Sequence, residues 1–183
     1  MISFNSYGKT NYEYYTNGQL KSEQHYKDGK KNGKWTYWDE NGSIRYERNF
    51  KDDKLDGKWT WWNIKGQKSV EENYKDGDWL SNIRYKYYEN GQIESEKHYK
   101  DDLFNGKSIL WYKNGQKFGE GNYKDGKVDG KWTFWKMNGQ KSEEINYKEG
   151  DLVDKTIFKY SYFTGHLKSE KRYKDGKCVS GDC

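Results

Sequence analysis

The sequence predicts an all-β protein: an elongated, single-layer antiparallel β-meander of about seven stacked β-hairpin repeats, or roughly fourteen strands. Three observations predict this fold: a repeat of about 24 residues, a turn dipeptide inside each repeat, and aromatic residues that alternate with polar ones around the turn. The low hydrophobic content of 31% would suit a disordered chain, but 9 Trp and 18 Tyr are more than a solvated chain carries. Aromatic rings therefore have to supply most of the packing.

A turn glycine marks each repeat. Five residues after it comes a glutamate, eight residues after it an aromatic residue, and nine residues after it a lysine, in every copy. We therefore expect residues 1–183 to form a single repeat array, with terminal segments at 1–10 and 175–183. The hairpin turns are expected near Gly18, Gly42, Gly66, Gly91, Gly115, Gly139 and Gly165.

Asparagine precedes the turn glycine in five of these repeats, and Asn-Gly between aromatic-rich runs predicts a tight hairpin. A two-residue turn at Asn41-Gly42 would require positive φ at both residues. A second turn, such as Asp28-Gly29 or Asp125-Gly126, follows each repeat. The two-residue turn predicts these cross-strand pairs: Glu40 with Ser43, Trp38 with Arg45, Tyr37 with Tyr46, and Trp35 with Arg48.

Residues that lie directly opposite each other share a face of the sheet, so this register separates two faces. One face collects rings, and the other collects the repeated glutamates and lysines. The ring-rich face is predicted to include Trp35, Tyr37, Ile44, Tyr46, Phe50, Trp59, Trp61, Trp132 and Phe134. The charged face is predicted to include Glu47, Glu71, Glu144 and a second row of rings, Trp38, Trp62, Trp111 and Trp135.

Two repeats are longer by two residues before their first strand. We expect the additional segments, Asp78-Trp79-Leu80 and Asp151-Leu152-Val153, to form longer loops on one edge of the array. Such loops either carry binding specificity or reflect neutral variation in length.

The repeated block Asn-Gly-Gln-x-Lys-Ser-Glu-x-x-Tyr-Lys-Asp-Gly-Lys-x-x-Gly-Lys-Trp, which lies within Tyr15–Trp35, resembles the MORN-type repeats. Within these repeats it resembles the bacterial variant found in YwqK-family antitoxin-like proteins. This resemblance implies a twisted sheet of stacked hairpins, no catalytic residues, and a role in protein scaffolding, membrane-surface attachment or neutralisation of a toxin. Trp35, Trp59 and Trp132 replace the second glycine of the Gly-x-Gly pairs of classical MORN repeats, so the packing is expected to differ there.

We find no set of residues that predicts catalysis, a metal site or a cofactor. Catalytic groups must converge, whereas a linear array separates them. His25 and His98 occupy the same repeat position three repeats apart, roughly 29 Å at about 4.8 Å per strand, which is too far to share a metal ion. The sequence therefore predicts a protein that is not an enzyme.

Three functions remain: binding to a protein partner such as a toxin, binding to glycans or cell wall, and binding to a membrane surface. We favour the protein partner because exposed Trp and Tyr are common interface anchors. Lysine and glutamate alternate along the chain despite its net charge of +5, which argues against nucleic acid and weakens the membrane hypothesis. The predicted partner-binding residues are Trp59, Trp61, Trp132, Phe134, Trp35 and Tyr37.

The sequence shows neither a signal peptide nor an apolar run of the ~20 residues that span a bilayer, which favours the cytoplasm. A chain from which a signal peptide had been removed would look the same. Cys178 and Cys183 either lie in a disordered tail or form a small terminal disulfide.

Overall fold

A computed structural model describes residues 8–181 and 183 of the chain. These residues form sixteen β-strands and no helix, which confirms the predicted all-β class. Sixteen exceeds the expected fourteen because of a two-residue strand, β3, and a short terminal strand, β16. The strands are β1 (Gly8–Tyr14), β2 (Leu20–Lys27), β3 (Lys30–Lys31), β4 (Gly33–Trp38), β5 (Ile44–Lys51), β6 (Lys54–Trp62), β7 (Lys68–Lys75), β8 (Asp78–Tyr87), β9 (Ile93–Lys100), β10 (Leu103–Trp111), β11 (Lys117–Lys124), β12 (Lys127–Trp135), β13 (Lys141–Lys148), β14 (Asp151–Tyr160), β15 (Leu167–Lys174) and β16 (Lys177–Ser180).

The chain divides into two compact units, an N-terminal unit (Met1–Ile83) and a C-terminal unit (Arg84–Cys183). In each unit the strands follow one another in the sheet in chain order, and β3 pairs with β2 beside this path. The strand pairs within the units are antiparallel. Each strand contacts mainly its neighbours in the sequence, which confirms the predicted sequential meander.

Within each unit, the turns at the repeat glycines lie along one edge of the sheet, here called the Asn-Gly edge, and they are not the predicted type. Gly42 has φ of 81°, but Asn41 does not have positive φ. The Gly42 amide donates to Asp39 O at 2.8 Å, and the Asp39 amide donates to Ser43 O at 2.9 Å. The loop therefore has three residues, a type I turn followed by a glycine bulge, rather than the two-residue turn that the sequence predicted.

This extra loop residue changes the pairing beside the turn. Trp38 pairs with Ile44, so the predicted pairs of Trp38 with Arg45 and of Glu40 with Ser43 are wrong. The register shifts between Tyr37 and Trp38, and the predicted pairs beyond that point are confirmed: Tyr37 with Tyr46 and Trp35 with Arg48.

The two-residue turns with positive φ at both positions occur at the opposite edge, here called the Asp-Gly edge. Asp28 and Gly29 have φ of 51° and 79°, and Asp125 and Gly126 have φ of 48° and 82°. Two of these turns contain no glycine: Asp52-Asp53 with φ of 48° and 69°, and Asp101-Asp102 with φ of 50° and 59°. Aspartate tolerates this left-handed conformation better than most residues, which explains the composition of this edge.

The two longer repeats do not form the predicted edge loops. Asp78-Trp79-Leu80 and Asp151-Leu152-Val153 lie within β8 and β14, which are ten residues long. In the C-terminal unit, Tyr147 pairs with Leu152 and Asn146 pairs with Asp154, so Val153 is the additional residue of a β-bulge. A bulge absorbs one additional residue within a strand pair, so the insertion lengthens the strand instead of the loop.

The two faces separate as the sequence predicted. In the N-terminal unit, Glu23, Thr36, Glu47, Thr60 and Glu71 form one continuous row of cross-strand partners. Trp35, Arg48 and Trp59 form the adjacent row, which therefore belongs to the opposite face. In the C-terminal unit, Glu120, Thr133 and Glu144 form the corresponding charged-face row, and Trp132 pairs with Ile145 on the ring-rich face.

Few apolar side chains are buried among the described residues. The buried hydrophobic residues are Trp35, Phe50, Ile109 and Trp132, and they are outnumbered by buried polar residues such as Ser22, Thr36 and Glu71. Aromatic rings and hydrogen-bonded polar groups therefore hold the sheet together in place of an aliphatic core.

Candidate binding surface

The ring-rich face of the N-terminal unit begins with a buried tryptophan. The Trp35 side chain is 5% exposed and lies between the rings of Tyr26 and Phe50, at centroid distances of 5.1 and 5.0 Å. Its indole N–H donates to His25 O at 2.8 Å. Trp35 is thus bonded to the preceding strand and has little ring surface left for a partner.

The next repeat of this face holds a cluster of Tyr37, Tyr46, Arg48, Trp59 and Trp61, called the Arg48 cluster below. The Arg48 guanidinium lies 4.1 Å from the Trp59 ring centroid and 4.6 Å from the Tyr46 centroid, within the range of cation–π attraction. Trp59 and Trp61 stack at 4.2 Å and 22°. The four rings are half-buried, so they keep surface that a partner could cover.

Two hydrogen-bond donors of the Arg48 cluster are buried without an acceptor, Arg48 Nε and Trp59 Nε1. Trp59 occupies the repeat position of Trp35, whose N–H reaches a carbonyl of the preceding strand. In the Arg48 cluster the guanidinium lies against the indole face instead. Buried donors are usually satisfied, so the cluster gives up two hydrogen bonds to hold its rings in this arrangement.

On the side of β7, a hydrogen bond between Tyr74 and the Glu72 carboxylate lies beside the cluster. Glu72 pairs with Trp59 across the strands, and the Tyr74 hydroxyl donates to Glu72 Oε2 at 2.7 Å. Burial, together with this hydrogen bond to an anion, raises the pKa of Tyr74 to about 12. The tyrosine therefore stays protonated and keeps donating throughout the physiological range.

The ring-rich face of the C-terminal unit is built differently, because two glycines of β11 lie beneath its rings. The Trp132 side chain is 5% exposed, and its N–H donates to Asn122 O at 3.1 Å. A Cβ added to Gly121 would overlap with the Trp132 indole, and one added to Gly119 would lie 2.9 Å from Phe134 Cδ1. Glycine inside a strand often marks such a close approach, and here it lets both rings lie flat.

The structure thus divides the six predicted partner-binding residues into two groups. Trp35 and Trp132 are buried and bonded to the backbone of the preceding strand. The other four are half-buried on the ring-rich face of their units. Tyr37, Trp59 and Trp61 come together in the Arg48 cluster, and Phe134 stacks on Trp132 at 5.8 Å and 24°.

Lysines clamp the glutamates of the charged face. Glu71, whose side chain is 3% exposed, accepts hydrogen bonds from Lys58 Nζ at 2.6 Å and Lys68 Nζ at 3.1 Å. Burial raises the pKa of the Glu71 carboxyl, but the two lysines more than offset it and hold that pKa below its usual value. Glu144 is held in the same way by Lys131 and Lys141. These carboxylates are satisfied by lysines within the sheet.

The histidines and cysteines also have local partners. His25 lies 3.1 Å from Glu23, and His98 lies 3.0 Å from Glu96, in each case two residues earlier on the same strand. Cys178 and Cys183 form a disulfide, which resolves the alternative left open by the sequence. The described part of the chain contains no group of three or more His, Cys, Asp or Glu side chains that could hold a metal ion.

These features define a β-hairpin repeat protein whose ring-bearing face is only partly covered by its own side chains. Four segments match the family model of the MORN repeat variant: residues 9–28, 31–52, 81–101 and 104–125, together a little under half of the chain. The resemblance to MORN-type repeats is therefore confirmed for these segments. No curated protein sequence matches the chain. Among residues 8–181 and 183 there is no helix that could cross a membrane.

Sequence reasoning missed two parts of this surface. The first is Arg48, whose place opposite Trp35 was predicted but whose insertion among rings was not. The second is the glycine pair beneath Trp132 and Phe134. The spacing Gly119-x-Gly121 inside a predicted strand was a usable signal, since alternate glycines clear one face of a strand.

Proposed function

We propose that this chain is a non-catalytic protein-binding repeat module and that its partner covers the ring-rich face. The observation that carries the proposal is the Arg48 cluster, where three half-buried rings surround one guanidinium and a fourth, Trp61, stacks on Trp59. Tryptophan, tyrosine and arginine are the residues that most often dominate the affinity of protein interfaces. On the charged face, by contrast, lysine–glutamate pairs already satisfy the charges.

Within this class we propose an antitoxin, immunity or scaffolding role. The support is the similarity of four segments to the MORN repeat variant, together with the resemblance of the repeated block to antitoxin-like proteins. A toxin-like reading frame beside the gene would support the antitoxin role. If the partner is toxic when expressed alone and harmless when co-expressed with this chain, the role is antitoxin rather than scaffold.

The test begins with crosslinking in the native host, identification of the partner by mass spectrometry, and measurement of its Kd with purified proteins. Trp61→Ala and Phe134→Ala remove half-buried rings, and we expect each to weaken binding by about 30-fold, which corresponds to ~2 kcal/mol. Trp135→Ala, on the charged face of the same strand as Phe134, is the matched control and should bind normally.

Thermal melting separates the two roles that a ring can have. An interface anchor loses affinity while its Tm changes little, whereas a ring that only stiffens the sheet lowers Tm first. If both ring variants melt early and the remaining folded protein binds at full affinity, the ring-rich face is not the site. Retention on peptidoglycan without any protein partner would favour glycan binding instead.

A further inference from the structure

A second row of aromatic residues lies on the charged face, beside the Asn-Gly turns. In every repeat but the last, an aromatic residue stands four positions before the turn glycine, and in the last repeat Tyr160 stands five positions before it. The members of this row in the C-terminal unit are half-buried, and they are Tyr87, Trp111, Trp135 and Tyr160. We call these four residues the edge rings.

Contacts with the clamped glutamates place the edge rings on the charged face. Trp111 pairs across the strands with Lys117, whose ammonium bonds Glu120 at 2.6 Å. Lys117 Nζ also lies 5.8 Å from the centroid of the Trp135 ring. The same arrangement recurs one repeat later with Trp135, Lys141 and Glu144. Each tryptophan of the row therefore has a lysine–carboxylate pair at its side.

The edge rings do not pack on one another, unlike the rings of the ring-rich face. None of the ring–ring contacts in the described part of the chain joins two of them. The indole N–H groups of Trp111 and Trp135 lie at the surface without an acceptor among the described residues, whereas that of Trp132 is bonded to the backbone. Burial, and then the nearby Glu96 carboxylate, raise the pKa of Tyr87, so its hydroxyl also stays a donor.

The spacing of the edge rings is set by the sheet. Consecutive members lie two strands apart, roughly 10 Å, so the four rings cover roughly 30 Å. In an unbranched β-1,4-linked glycan, alternate sugars present the same face, and one disaccharide has nearly the length of one such step. The C–H groups of a sugar face pack against the electron-rich face of an aromatic ring, while the sugar hydroxyls need hydrogen-bond partners at its edge.

The charges beside the edge rings are paired, which bears on the kind of glycan that fits. The Glu144 carboxylate, and further away that of Glu170, raise the pKa of Lys141, and Glu120 bonds Lys117. An ammonium has three donors, so a lysine that is bonded to a carboxylate can still donate to a hydroxyl. A strip of both charge signs therefore suits an uncharged ligand with many hydroxyls better than a polyanion.

We propose that the edge rings bind an uncharged, unbranched β-1,4-linked glycan, with alternate sugars stacked on successive rings. The indole N–H groups and the lysine–carboxylate pairs bond its hydroxyls. Glycan binding was one of the functions that the sequence left open, and this row gives it a defined site and ligand class. The edge rings lie on the face opposite the Phe134 ring, so the proposal goes beyond protein binding and does not depend on it.

Isothermal titration calorimetry of the full chain tests this proposal. The probes are cellohexaose and chitohexaose, which share the β-1,4 linkage, and maltohexaose, whose α-1,4 linkage curves the chain. We expect a β-linked hexamer to bind about 30-fold or more tightly than its disaccharide, because only the hexamer reaches several rings. Binding of both hexamers would assign recognition to the shared backbone, and binding of chitohexaose alone would add its acetamide groups.

Variants of one strand locate the site. Trp135→Ala removes a stacking surface and should weaken binding of the hexamer by about tenfold. Trp135→Phe keeps a ring but removes the N–H, so we expect a loss of about threefold, and this small change tests the site even if the alanine variant does not fold. Phe134→Ala, on the other face of the same strand, is the matched control and should bind the glycan like the parent chain.

The same variants separate this proposal from the proposed protein partner. Trp135→Ala should lose the glycan and keep the partner, whereas Phe134→Ala should lose the partner and keep the glycan. Absence of binding by both β-linked hexamers, or equal binding of maltohexaose, would overturn the proposal. Full affinity in Trp135→Phe, or equal losses in Trp135→Ala and Phe134→Ala, would also overturn it.

Discussion

Two pairs of residues occupy the same two positions of the repeat but pack differently. They are Arg48 with Trp59 in the N-terminal unit, and Gly121 with Trp132 in the C-terminal unit. Arg48 fills the position beside the tryptophan, so the indole lies against a guanidinium and its N–H has no acceptor. Gly121 leaves that position empty, so the indole lies flat and its N–H reaches Asn122 O. With Arg48 beside it, Trp59 keeps ring surface for a partner, whereas Trp132 above Gly121 holds two strands together.

The largest expected effect is at Gly121. In Gly121→Ala the added Cβ would overlap with the Trp132 indole, so the ring has to move and its hydrogen bond to Asn122 O is lost. We expect the free energy of unfolding to fall by about 3 kcal/mol. Arg48→Ala at the equivalent position removes the cation–π contacts together with a buried donor that has no acceptor, and should cost about 1 kcal/mol. Urea denaturation monitored by circular dichroism measures both, and equal costs would show that the two positions are not packed differently.

The two tryptophans should also respond differently to loss of the indole N–H. Trp132→Phe removes a satisfied donor and leaves Asn122 O without it, whereas Trp59→Phe removes a donor that has no acceptor. We expect Trp132→Phe to cost about 1 kcal/mol more than Trp59→Phe. Urea denaturation of the two variants, monitored by circular dichroism, measures this difference. A larger loss for Trp59→Phe would mean that its N–H is bonded in solution.

The two units can also be compared on the charged face, where Glu71 and Glu144 are each paired with two lysines. The pKa of Glu71 lies below its usual value in the folded chain, so the stability from its ionised form is fully present above the unfolded pKa of about 4.3. That stability is lost as the pH falls through the lower, folded pKa. We expect Glu71→Gln to cost about 1 kcal/mol at pH 7 and much less near pH 2. Unfolding at the two pH values measures this.

Glu144→Gln is the matched variant in the C-terminal unit. Its side chain is 17% exposed, compared with 3% for Glu71, so solvent screens its two lysines more. We expect a smaller cost at pH 7 with the same pH dependence. A cost that does not change with pH would contradict an ionic contribution at either site.

The smallest effect concerns the Asp-Gly edge, where Asp53 in the N-terminal unit occupies a left-handed conformation that Gly126 occupies in the C-terminal unit. Asp53 has φ of 69° and Gly126 has φ of 82°. Asp53→Gly relieves the cost of positive φ at a non-glycine residue, but it also removes the hydrogen bond from Lys31 N to Asp53 Oδ1. Gly126→Asp introduces that cost without gaining such a hydrogen bond. We expect a gain of up to about 0.5 kcal/mol for Asp53→Gly and a loss of about 0.5–1 kcal/mol for Gly126→Asp. Thermal melting distinguishes the signs.

The length of the repeat and the alternation of aromatic with polar residues were sufficient to predict the strands, their order and the two faces. Glycine spacing located every turn of the Asn-Gly edge, but it could not choose between a two-residue turn and a three-residue turn with a bulge, since both place glycine at positive φ. The insertion at Asp151 was expected in a loop because a bulge leaves no mark in the pattern of residue types.

The candidate site was predicted less completely, because exposure depends on what lies beside a residue and not only on which face it occupies. Trp35, Trp59 and Trp132 are equivalent by sequence position, yet Trp59 alone is half-buried among these three.

The tyrosine hydroxyls that bridge neighbouring hairpins also limit how such a protein can change length. Tyr15 donates to the carbonyl of Trp38, Tyr88 to that of Trp111, and Tyr112 to that of Trp135, each 23 residues further along the chain. Removal or duplication of one complete repeat leaves every donor at the same distance from an acceptor. A gain of half a repeat would place the hydroxyl at the wrong edge. A change in length by whole repeats therefore keeps these bonds between neighbouring hairpins.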